Sequence, residues 1–403
     1  MAIVGQGYVG LPLSMAAAKA GWLVTGVDAS PEVVSGLRRG VSHIEDVPDD
    51  LLLENLKSGF YAVSTDASVV KDSEICILAV PTPLKPDRQP NLEYLEKAIR
   101  DIAKFLPSNG LLVSESTSFP GTLKEFILPL VRDLRIDEAK HMRFAAAPER
   151  VDPKNRDWTL HNTPRLIAGI DAPSTQKAHE FYSSFCDSVT VVSSPEVAEM
   201  SKLLENTFRQ VNIALINQLA ILCEKLGIDV REVVEAAGTK PYGFMKFYPG
   251  AGVGGHCIPV DPLYLKWKAS KIGFDMTFIS EADKVNNEMP HYVTERFANI
   301  AKLRKKSKVA ILGVAYKSGI SDIRETPAEA VALELQNLGC EVFWHDPMVD
   351  SFMNLPPLID FQIDGAIIVT NQDGLPIEHL VKLGIPVFDC TGTYKDLEGV
   401  LSL

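Results

Sequence analysis

The stretch "MAIVGQGYVGLPLSMAAAKAGWLVTGVDAS", residues 1–30, decides the fold of the N-terminal half. A strand-like segment leads into "GQGYVG", where Gly5, Gly7 and Gly10 stand in G-x-G-x-x-G spacing before a helical segment and a second strand. Glycines at this spacing permit a tight turn, close approach of the backbone to a pyrophosphate, and close packing of the helix on the strand. The N–H groups of the first helical turn would face the phosphates. We therefore predict a βαβ unit that binds a dinucleotide.

The dinucleotide is predicted from the end of the second strand. Asp28 stands there, 18 residues after Gly10. A carboxylate at this position accepts hydrogen bonds from the adenosine ribose and repels a 2′-phosphate, so NAD is expected rather than NADP. A glycine turn with a purely structural role is the alternative.

A second segment, "KVAILGVAYKSGISDIRETPAEAVALELQNLGCEVFWHDP" at residues 308–347, repeats the order of strand, glycine turn, helix and aspartate-terminated strand. Short apolar runs, typical of buried parallel strands, follow both units: "ICILAV", "GLLVSES", "FAAAPE" and "RLIAG", then "GAIIVT" and "IPVFDC". These patterns predict an α/β protein with two Rossmann-like, doubly wound parallel sheets. Because "GVAYKSG" replaces the fingerprint in the second unit, we expect no second dinucleotide bound in this way.

The middle of the chain has a different pattern. From Pro195 to Leu226, apolar residues recur every three or four positions without an interrupting Gly or Pro, and Gly227 follows. This predicts one long central helix within a helical middle domain that joins the two sheets. Its spare apolar surface favours a homodimer, with a helix confined to one domain as the alternative. The expected domain boundaries are 1–193, 194–300 and 301–403.

Composition excludes several classes of protein. Of the 403 residues, 46% are hydrophobic and 23% charged, which is typical of globular domains. The formal charge of −12 argues against a nucleic-acid partner, and no apolar run is long enough to span a membrane. The six scattered cysteines include no C-x-x-C pair, so we expect no disulfide framework, no metal site, and a reducing cytoplasmic location.

The stretch "YPGAGVGGHCIPVDP", residues 248–262, holds Cys257 in a glycine-rich loop. Asp261 follows four residues later, and Lys202 and Asn206 share one face of the long helix at i, i+4 spacing. With NAD present, a nucleophilic cysteine suggests oxidation of an aldehyde through a thiohemiacetal and a thioester. A small, inert core cysteine is the alternative.

Seven ordered segments match one family: "GQGYVGLPL", "VPTP", "ESTSFPGT", "APERV", "AEMSKLLENTFR", "GVGGHCIPVDP" and "GVAYKSGISDIRETPA". Through them the chain resembles the UDP-glucose/GDP-mannose dehydrogenase family over essentially its full length. The resemblance implies an NAD-binding domain at 1–193, a central domain carrying the cysteine loop, and a UDP-binding domain at 301–403. It also implies a four-electron oxidation of the sugar C6 alcohol to a carboxylate, with two NAD reduced and one water consumed.

The resemblance also assigns roles to single residues. Cys257 would form the thioester, Lys202 would stabilise the oxyanion at C6, and Asp261 would assist proton transfer. The implied catalytic residues are Cys257, Lys202, Asp261, Glu149, Asn206 and Thr117, with Glu149 acting in thioester hydrolysis and Thr117 positioning a water or the C6 oxygen. The implied cofactor-binding residues are Gly5, Gly7, Tyr8, Val9, Gly10, Asp28, Pro81, Thr82, Thr117 and Arg324. The implied substrate-binding residues are Glu149, Arg150, Lys202, Asn206, Tyr248, Gly254, Gly255 and Lys317.

The identity of the sugar depends on the loop after the cysteine. Glucose enzymes of the family usually have a lysine between the proline and the aspartate, where this chain has Val260. Together with "TKPYGFMKFYPGAG", this favours a UDP-N-acetylhexosamine, with UDP-N-acetylglucosamine expected first. The mannosamine and galactosamine epimers and UDP-glucose are alternatives.

More distant alternatives are a two-electron dehydrogenase of the 3-hydroxyacid type and a non-catalytic NAD-binding regulator. His256 is an alternative general base beside Cys257, although the side chains of adjacent loop residues are expected to point apart.

Overall fold

The structure is a computed structural model, and it describes residues 1–116, 118–135, 141–152, 154–155 and 157–403. The chain divides into two compact units. The first comprises Met1–Glu205 and Leu263–Gly273, and the second Asn206–Pro262 and Phe274–Leu403.

The first unit is built on one sheet. Among its described residues the strands are β1 (Ala2–Val4), β2 (Val24–Val27), β3 (Tyr61–Ser64), β4 (Ile75–Leu78), β5 (Leu111–Ser114), β6 (Arg143–Ala146), β7 (Arg165–Gly169) and β8 (Val189–Val191). Their order is β3-β2-β1-β4-β5-β6-β7-β8. The chain passes from β1 outward to β2 on one side and β4 on the other, which creates the switch point at which α/β sheets bind ligands. The predicted doubly wound sheet is confirmed.

One pairing in this sheet differs from the predicted parallel arrangement. Strand β7 runs antiparallel to β6, with Ala146 opposite Ala168. Parallel neighbours need a crossover connection. The described residues of the 147–164 connection form no helix, so the chain turns back beside β6.

Helices cover both faces of this sheet. They are α1 (Gly10–Lys19), α2 (Pro31–Arg38), α3 (Asp49–Ser58), α4 (Glu93–Ala103), α5 (Leu128–Leu134) and α6 (Ala172–Tyr182). Because side chains alternate along a strand, Ile3 packs in one core with α1, α2, α3 and α6, while Ala2 and Val4 pack in another with α4 and α5.

The predicted central helix is confirmed as α7 (Pro195–Leu226), which contributes residues to both units. Gly227 follows it with φ +70°, a backbone conformation that ends helices and that glycine adopts without strain. Two shorter helices follow, α8 (Val230–Ala237) and α9 (Asp261–Lys271).

The second unit has a smaller parallel sheet. Its described strands are β9 (Lys308–Leu312), β10 (Glu341–His345), β11 (Gly365–Ile368), β12 (Val387–Asp389) and β13 (Val400–Ser402), in the order β10-β9-β11-β12-β13. The remaining helices are α10 (Thr277–Ile300), α11 (Pro327–Asn337) and α12 (Ile377–Lys382). Val309 and Ile311 pack with α10 and α11, whereas Ala310 and Leu312 pack with α12.

In the described part of the chain, no helix combines the length and apolar character needed to cross a membrane. All six cysteines lie in that part and are present as thiols rather than disulfides. A cytoplasmic location stays a prediction.

The fingerprint glycines allow a test of which glycine serves the fold. A Cβ on Gly10 would lie 1.8 Å from the Gly5 carbonyl oxygen, whereas a Cβ on Gly7 would meet no atom within 4 Å. We expect Gly10→Ala to lower the free energy of unfolding by about 1–3 kcal/mol through overpacking, measured by urea denaturation. Gly7→Ala is the matched control, with unchanged stability but NAD affinity reduced by about tenfold or more, or about 1.4 kcal/mol. Equal destabilisation by both changes, with NAD binding intact in Gly7→Ala, would mean that the turn is purely structural.

Candidate active site

The glycine turn after β1 lies among the carboxyl ends of three neighbouring strands. Gly5 has φ +92°, its N–H donates to the Val27 carbonyl at 2.8 Å, and a Cβ there would lie 2.4 Å from the Ala79 oxygen. The turn is therefore packed against the ends of β2 and β4, while the space beside Gly7 stays open. Tyr8 and Val9 complete the turn and lead into α1. Such a cradle fits the pyrophosphate of a dinucleotide.

Asp28 follows β2 at the same edge of the sheet. Its two carboxylate oxygens accept hydrogen bonds from the Gln6 and Ser30 N–H groups, each at 2.9 Å. These bonds orient the carboxylate and leave lone pairs for ribose hydroxyls. Pro81 and Thr82 follow β4, the other neighbour of β1. The described cofactor residues predicted in this unit thus lie at one edge of the sheet, and they fit NAD.

The fingerprint turn rests on a buried side chain that sequence reasoning missed. The Gln6 amide donates to the Ile3 carbonyl at 2.9 Å, and its Oε1 accepts hydrogen bonds from Ser14 at 3.2 Å and Tyr61 at 2.8 Å. The middle residue of "GQG" is therefore a structural support for the turn.

Glu149 lies just beyond β6 and is buried. Its Oε1 accepts hydrogen bonds from the N–H groups of Arg150 at 2.6 Å and Val151 at 2.7 Å, and its Oε2 accepts one from Arg165 at 2.6 Å. Burial opposes ionisation, but the Arg165 charge and these N–H groups outweigh it, and they hold the Glu149 pKa below its ordinary value. Glu149 is therefore an oriented carboxylate rather than the surface acid that its local sequence would otherwise suggest.

A second buried acid, Glu115 beyond β5, shares the same arginine. Its Oε2 lies 3.5 Å from Arg165 Nη1, and its Oε1 accepts a hydrogen bond from the Tyr182 hydroxyl at 2.5 Å. Burial raises the Glu115 pKa to about 7, although the charge of Arg165 opposes the rise. The two carboxylates therefore have pKa values displaced in opposite directions, an arrangement common at catalytic sites.

Lys202 is on α7, and its positive charge lowers the pKa of both Glu149 and Glu115. The next turn of the helix is tied to the segment after β6 by an ion pair. Arg150 is held by Glu205, with Nη2 to Oε1 at 2.6 Å and Nε to Oε2 at 3.1 Å. The predicted substrate contact of Arg150 would therefore compete with an existing bidentate pair.

In the second unit, Cys257 lies in the predicted loop and is only partly exposed. Its carbonyl accepts hydrogen bonds from the N–H groups of Val260 at 3.2 Å and Asp261 at 2.8 Å, so the loop leads directly into α9. The buried Asp261 carboxylate accepts a hydrogen bond from the Asn206 amide at 2.6 Å. The structure therefore links Asp261 to Asn206 through the side chains and to Cys257 through the backbone.

His256 differs from expectation. Its Nδ1 lies 3.4 Å from Cys257 Sγ, so the two side chains contact each other. The prediction that they point apart is wrong, because the tight loop turns both toward the same side.

The loop glycines have a packing role that the sequence did not reveal. A Cβ on Gly254 would lie 2.7 Å from Tyr316 Cβ, and a Cβ on Gly255 would lie 2.8 Å from the Tyr316 ring. The Gly255 N–H donates to the Arg324 carbonyl at 3.2 Å. These glycines therefore permit close packing within the second unit, whether or not they also contact a sugar.

Arg324 and Lys317 lie in the connection between β9 and α11. The Arg324 guanidinium pairs with Asp322, with Nη2 to Oδ2 at 2.5 Å. The backbone around Lys317 is held by Gln372, whose amide accepts a hydrogen bond from the Gly319 N–H at 2.7 Å and donates to the Ile320 carbonyl at 3.2 Å. Gln372 is a further residue that the sequence patterns missed.

Tyr248 lies at the start of the cysteine loop, and its hydroxyl donates to Glu235 on α8. Glu235 also accepts a hydrogen bond from Lys246 at 2.5 Å. The segment before the cysteine is thus held from α8. Thr117, a predicted catalytic and cofactor-binding residue, lies outside the described residues.

Arg165, Glu115 and Tyr182 were not predicted as site residues. The available signal was an arginine and a glutamate beside otherwise apolar strands, in "PRLIAG" and "LLVSES", because a charged residue is seldom fully buried unless it is paired. Their partners could not be identified from the same patterns.

Three family domains match the chain in order. They are the NAD binding domain of the UDP-glucose/GDP-mannose dehydrogenase family at residues 1–186, its central domain at 196–288, and its UDP binding domain at 310–371.

Individual proteins are similar over most of the chain. A UDP-N-acetyl-D-mannosamine dehydrogenase of Pyrococcus horikoshii is 37% identical over 87% of this chain and 84% of its own. A UDP-N-acetyl-D-glucosamine 6-dehydrogenase of Salmonella typhi is 35% identical over 87% of this chain and 83% of its own. The solved structure of a UDP-D-ManNAc dehydrogenase from Pyrococcus horikoshii covers 100% of this chain and 99% of its own at a TM-score of 0.89 and 31% identity.

Proposed function

The chain belongs to the UDP-glucose/GDP-mannose dehydrogenase family, and on this premise we propose that it oxidises the C6 alcohol of a UDP-N-acetylhexosamine to the carboxylate. It is an NAD-dependent UDP-sugar dehydrogenase. We propose in addition that the reaction passes through a cysteine thioester, which residues catalyse it, and which sugar is oxidised.

The arrangement around Cys257 carries the proposal. A partly exposed thiol lies 3.4 Å from an imidazole nitrogen, four residues before a buried carboxylate that is hydrogen-bonded to α7. A thiol, an imidazole in contact with it and a carboxylate thus lie within one short segment, an arrangement typical of covalent catalysis. An inert cysteine would need neither neighbour.

In the proposed steps, each residue has the role that its match to the family motifs implies. Lys202 stabilises the C6 alkoxide during the first oxidation. Cys257 Sγ then bonds to C6 of the aldehyde, and Asp261 assists proton transfer to the resulting thiohemiacetal oxygen. NAD, which the turn at Gly5, Gly7 and Gly10 and the Asp28 carboxylate would hold, would supply the hydride acceptor for C6 in each of the two oxidations. Water adds to the thioester, its proton passes to Glu149, and the C6–Sγ bond breaks.

The proposed sugar rests on the segment after the cysteine. Val260 stands where glucose enzymes of the family usually have lysine, and it is buried in this chain. We propose UDP-N-acetylglucosamine first. UDP-N-acetylmannosamine is the second candidate, because relatives of nearly equal identity are named for either sugar.

The function is tested by measuring, for a panel of UDP-sugars, how many NADH molecules form per sugar consumed. We expect two NADH and one uronic acid per N-acetylated sugar. We expect kcat/KM for UDP-glucose to be lower by about a hundredfold or more, because a site selective for an N-acetylated sugar loses its contacts to the acetamido group. Turnover of UDP-glucose alone would refute the proposed sugar class. One NADH per sugar without acid would support two-electron chemistry, and NAD binding without turnover would support a regulator.

We also propose a homodimer formed through α7. The helix exposes Met200, Leu204, Phe208, Leu215 and Leu222 along its length. An exposed apolar stripe of this size favours a protein partner. Light scattering of the purified chain should give twice the 44.2 kDa mass of one chain, and a monomer at micromolar concentration would exclude the dimer.

A further inference from the structure

Four buried side chains of the first unit form one cluster, the Arg165 cluster, composed of Arg165, Glu149, Glu115 and Tyr182. Arg165 begins β7 and lies between the two carboxylates, 2.6 Å from Glu149 Oε2 and 3.5 Å from Glu115 Oε2. The Tyr182 ring lies below the guanidinium, 5.0 Å from its carbon. Among these residues, only Glu149 has a part in the steps above.

We propose that Arg165 is a positioning residue for thioester hydrolysis, which holds Glu149 as an oriented carboxylate while Glu115 and Tyr182 hold the guanidinium in place. This inference rests on the proposed function, because it assigns a role within the hydrolytic step.

The contact distances show which carboxylate is the principal partner of Arg165. Glu149 receives the short hydrogen bond from the guanidinium, and Glu115 has only the longer contact. Glu115 Oε2 is buried and receives no hydrogen bond from the described residues. A buried charge without adequate partners is strongly unfavourable. Glu149 is therefore the more readily ionised acid, and Glu115 holds its proton to higher pH.

The orientation of Glu149 suits a proton acceptor. Two backbone N–H groups bind Oε1 and the guanidinium binds Oε2, so rotation of the carboxylate would break at least one of three hydrogen bonds. A carboxylate has about four acceptor positions, which leaves one for water. In hydrolysis the water oxygen bonds to C6, one water proton passes to Glu149, and the C6–Sγ bond breaks so that Cys257 leaves as the thiolate while the other water proton stays on the new carboxyl group.

Other charged or titratable groups also face the cluster. Glu115 is influenced by Lys202 on α7, and Arg165 by Cys186 beyond α6. Burial raises the Glu115 pKa to about 7, so this acid ionises as the pH rises through neutrality. Once ionised, Glu115 competes with Glu149 for the guanidinium. The hydrolytic rate should therefore show an inflection near pH 7 that Glu115→Gln removes.

The Arg165→Met variant tests this role, because the NADH burst reports the two oxidations and the steady-state rate reports hydrolysis. We expect a burst of two NADH per active site to remain, while steady-state kcat falls by about a hundredfold and a sugar adduct accumulates on Cys257, detected by mass spectrometry after acid quenching. The acid limb of the pH profile should move to higher pH, because Glu149 loses the cation that keeps it ionised. Arg165→Lys should recover part of the rate.

Arg143→Met, on the neighbouring strand β6, is the matched control. The Arg143 side chain donates a hydrogen bond to the exposed Asn109 carbonyl. Its replacement is expected to leave the NADH burst, the adduct level and the pH profile unchanged. If Arg165→Met does not fold, Arg165→Lys and Glu115→Gln are compared instead, and unaltered pH profiles in both would overturn the inference. Normal hydrolysis by Arg165→Met would also overturn the inference, provided that the wild-type enzyme yields two NADH per sugar. If the wild type yields one NADH and no acid, the proposed function itself has failed.

Discussion

Cys257→Ser is expected to lower kcat for the complete oxidation by about a thousandfold or more, as removal of a covalent nucleophile does in other enzymes. A serine hydroxyl at neutral pH is far less nucleophilic than a cysteine, so the aldehyde would not be captured for the second oxidation. Rapid-quench kinetics should show at most one NADH per active site, and mass spectrometry should show no sugar adduct.

Cys340→Ser is the matched control for this change. Cys340 is also partly exposed and lies in the second unit, immediately before β10. Its replacement should leave the burst of two NADH intact. Full turnover by Cys257→Ser, with two NADH per sugar, would rule out the thioester route.

Lys202→Met is expected to reduce kcat by about a hundredfold to a thousandfold, the loss typical of removing one stabilising donor from a developing oxyanion. The loss should occur in the first oxidation, so the burst of NADH should disappear. Arg165→Met, in contrast, should retain the burst. Removing the Lys202 charge also removes an influence that lowers the Glu149 pKa, so any residual hydrolysis should shift to higher pH.

Lys225→Met, in the last turn of the same helix, provides the control for Lys202→Met. Stopped-flow absorbance of NADH would distinguish the two variants. A normal burst in Lys202→Met would show that the lysine does not stabilise the alkoxide, whatever its effect on steady-state turnover.

The fold was predictable where local sequence carries the physical information. The spacing of Gly5, Gly7 and Gly10 indicated the first βαβ unit, and the apolar periodicity between Pro195 and Leu226 gave the bounds of α7 found in the structure. Both signals depend on neighbouring residues along the chain. The direction of β7 was not predictable in this way, because a short buried strand has the same composition whether its neighbour runs parallel or antiparallel.

The candidate site was only partly predictable. Sequence patterns identified Cys257, Asp261 and Asn206 individually. The structure joins Asn206 to Asp261 by a 2.6 Å side-chain hydrogen bond, and Asp261 to Cys257 by a backbone hydrogen bond of 2.8 Å. The patterns indicated neither the contact of His256 with the thiol nor the packing of Gly254 and Gly255 against Tyr316. These contacts depend on how a loop turns, for which residue type gives little information.

The sequence by itself determined the α/β class, the NAD-binding turn, the long helix and the family, because each is written in local spacing or in ordered motifs. Only the tertiary structure decided which buried charges meet. Arg165 pairs with Glu149 across 16 residues of sequence, and Tyr182 reaches Glu115 across 67. The protonation of each acid depends on its burial and on the distance to its partner, and packing alone sets both.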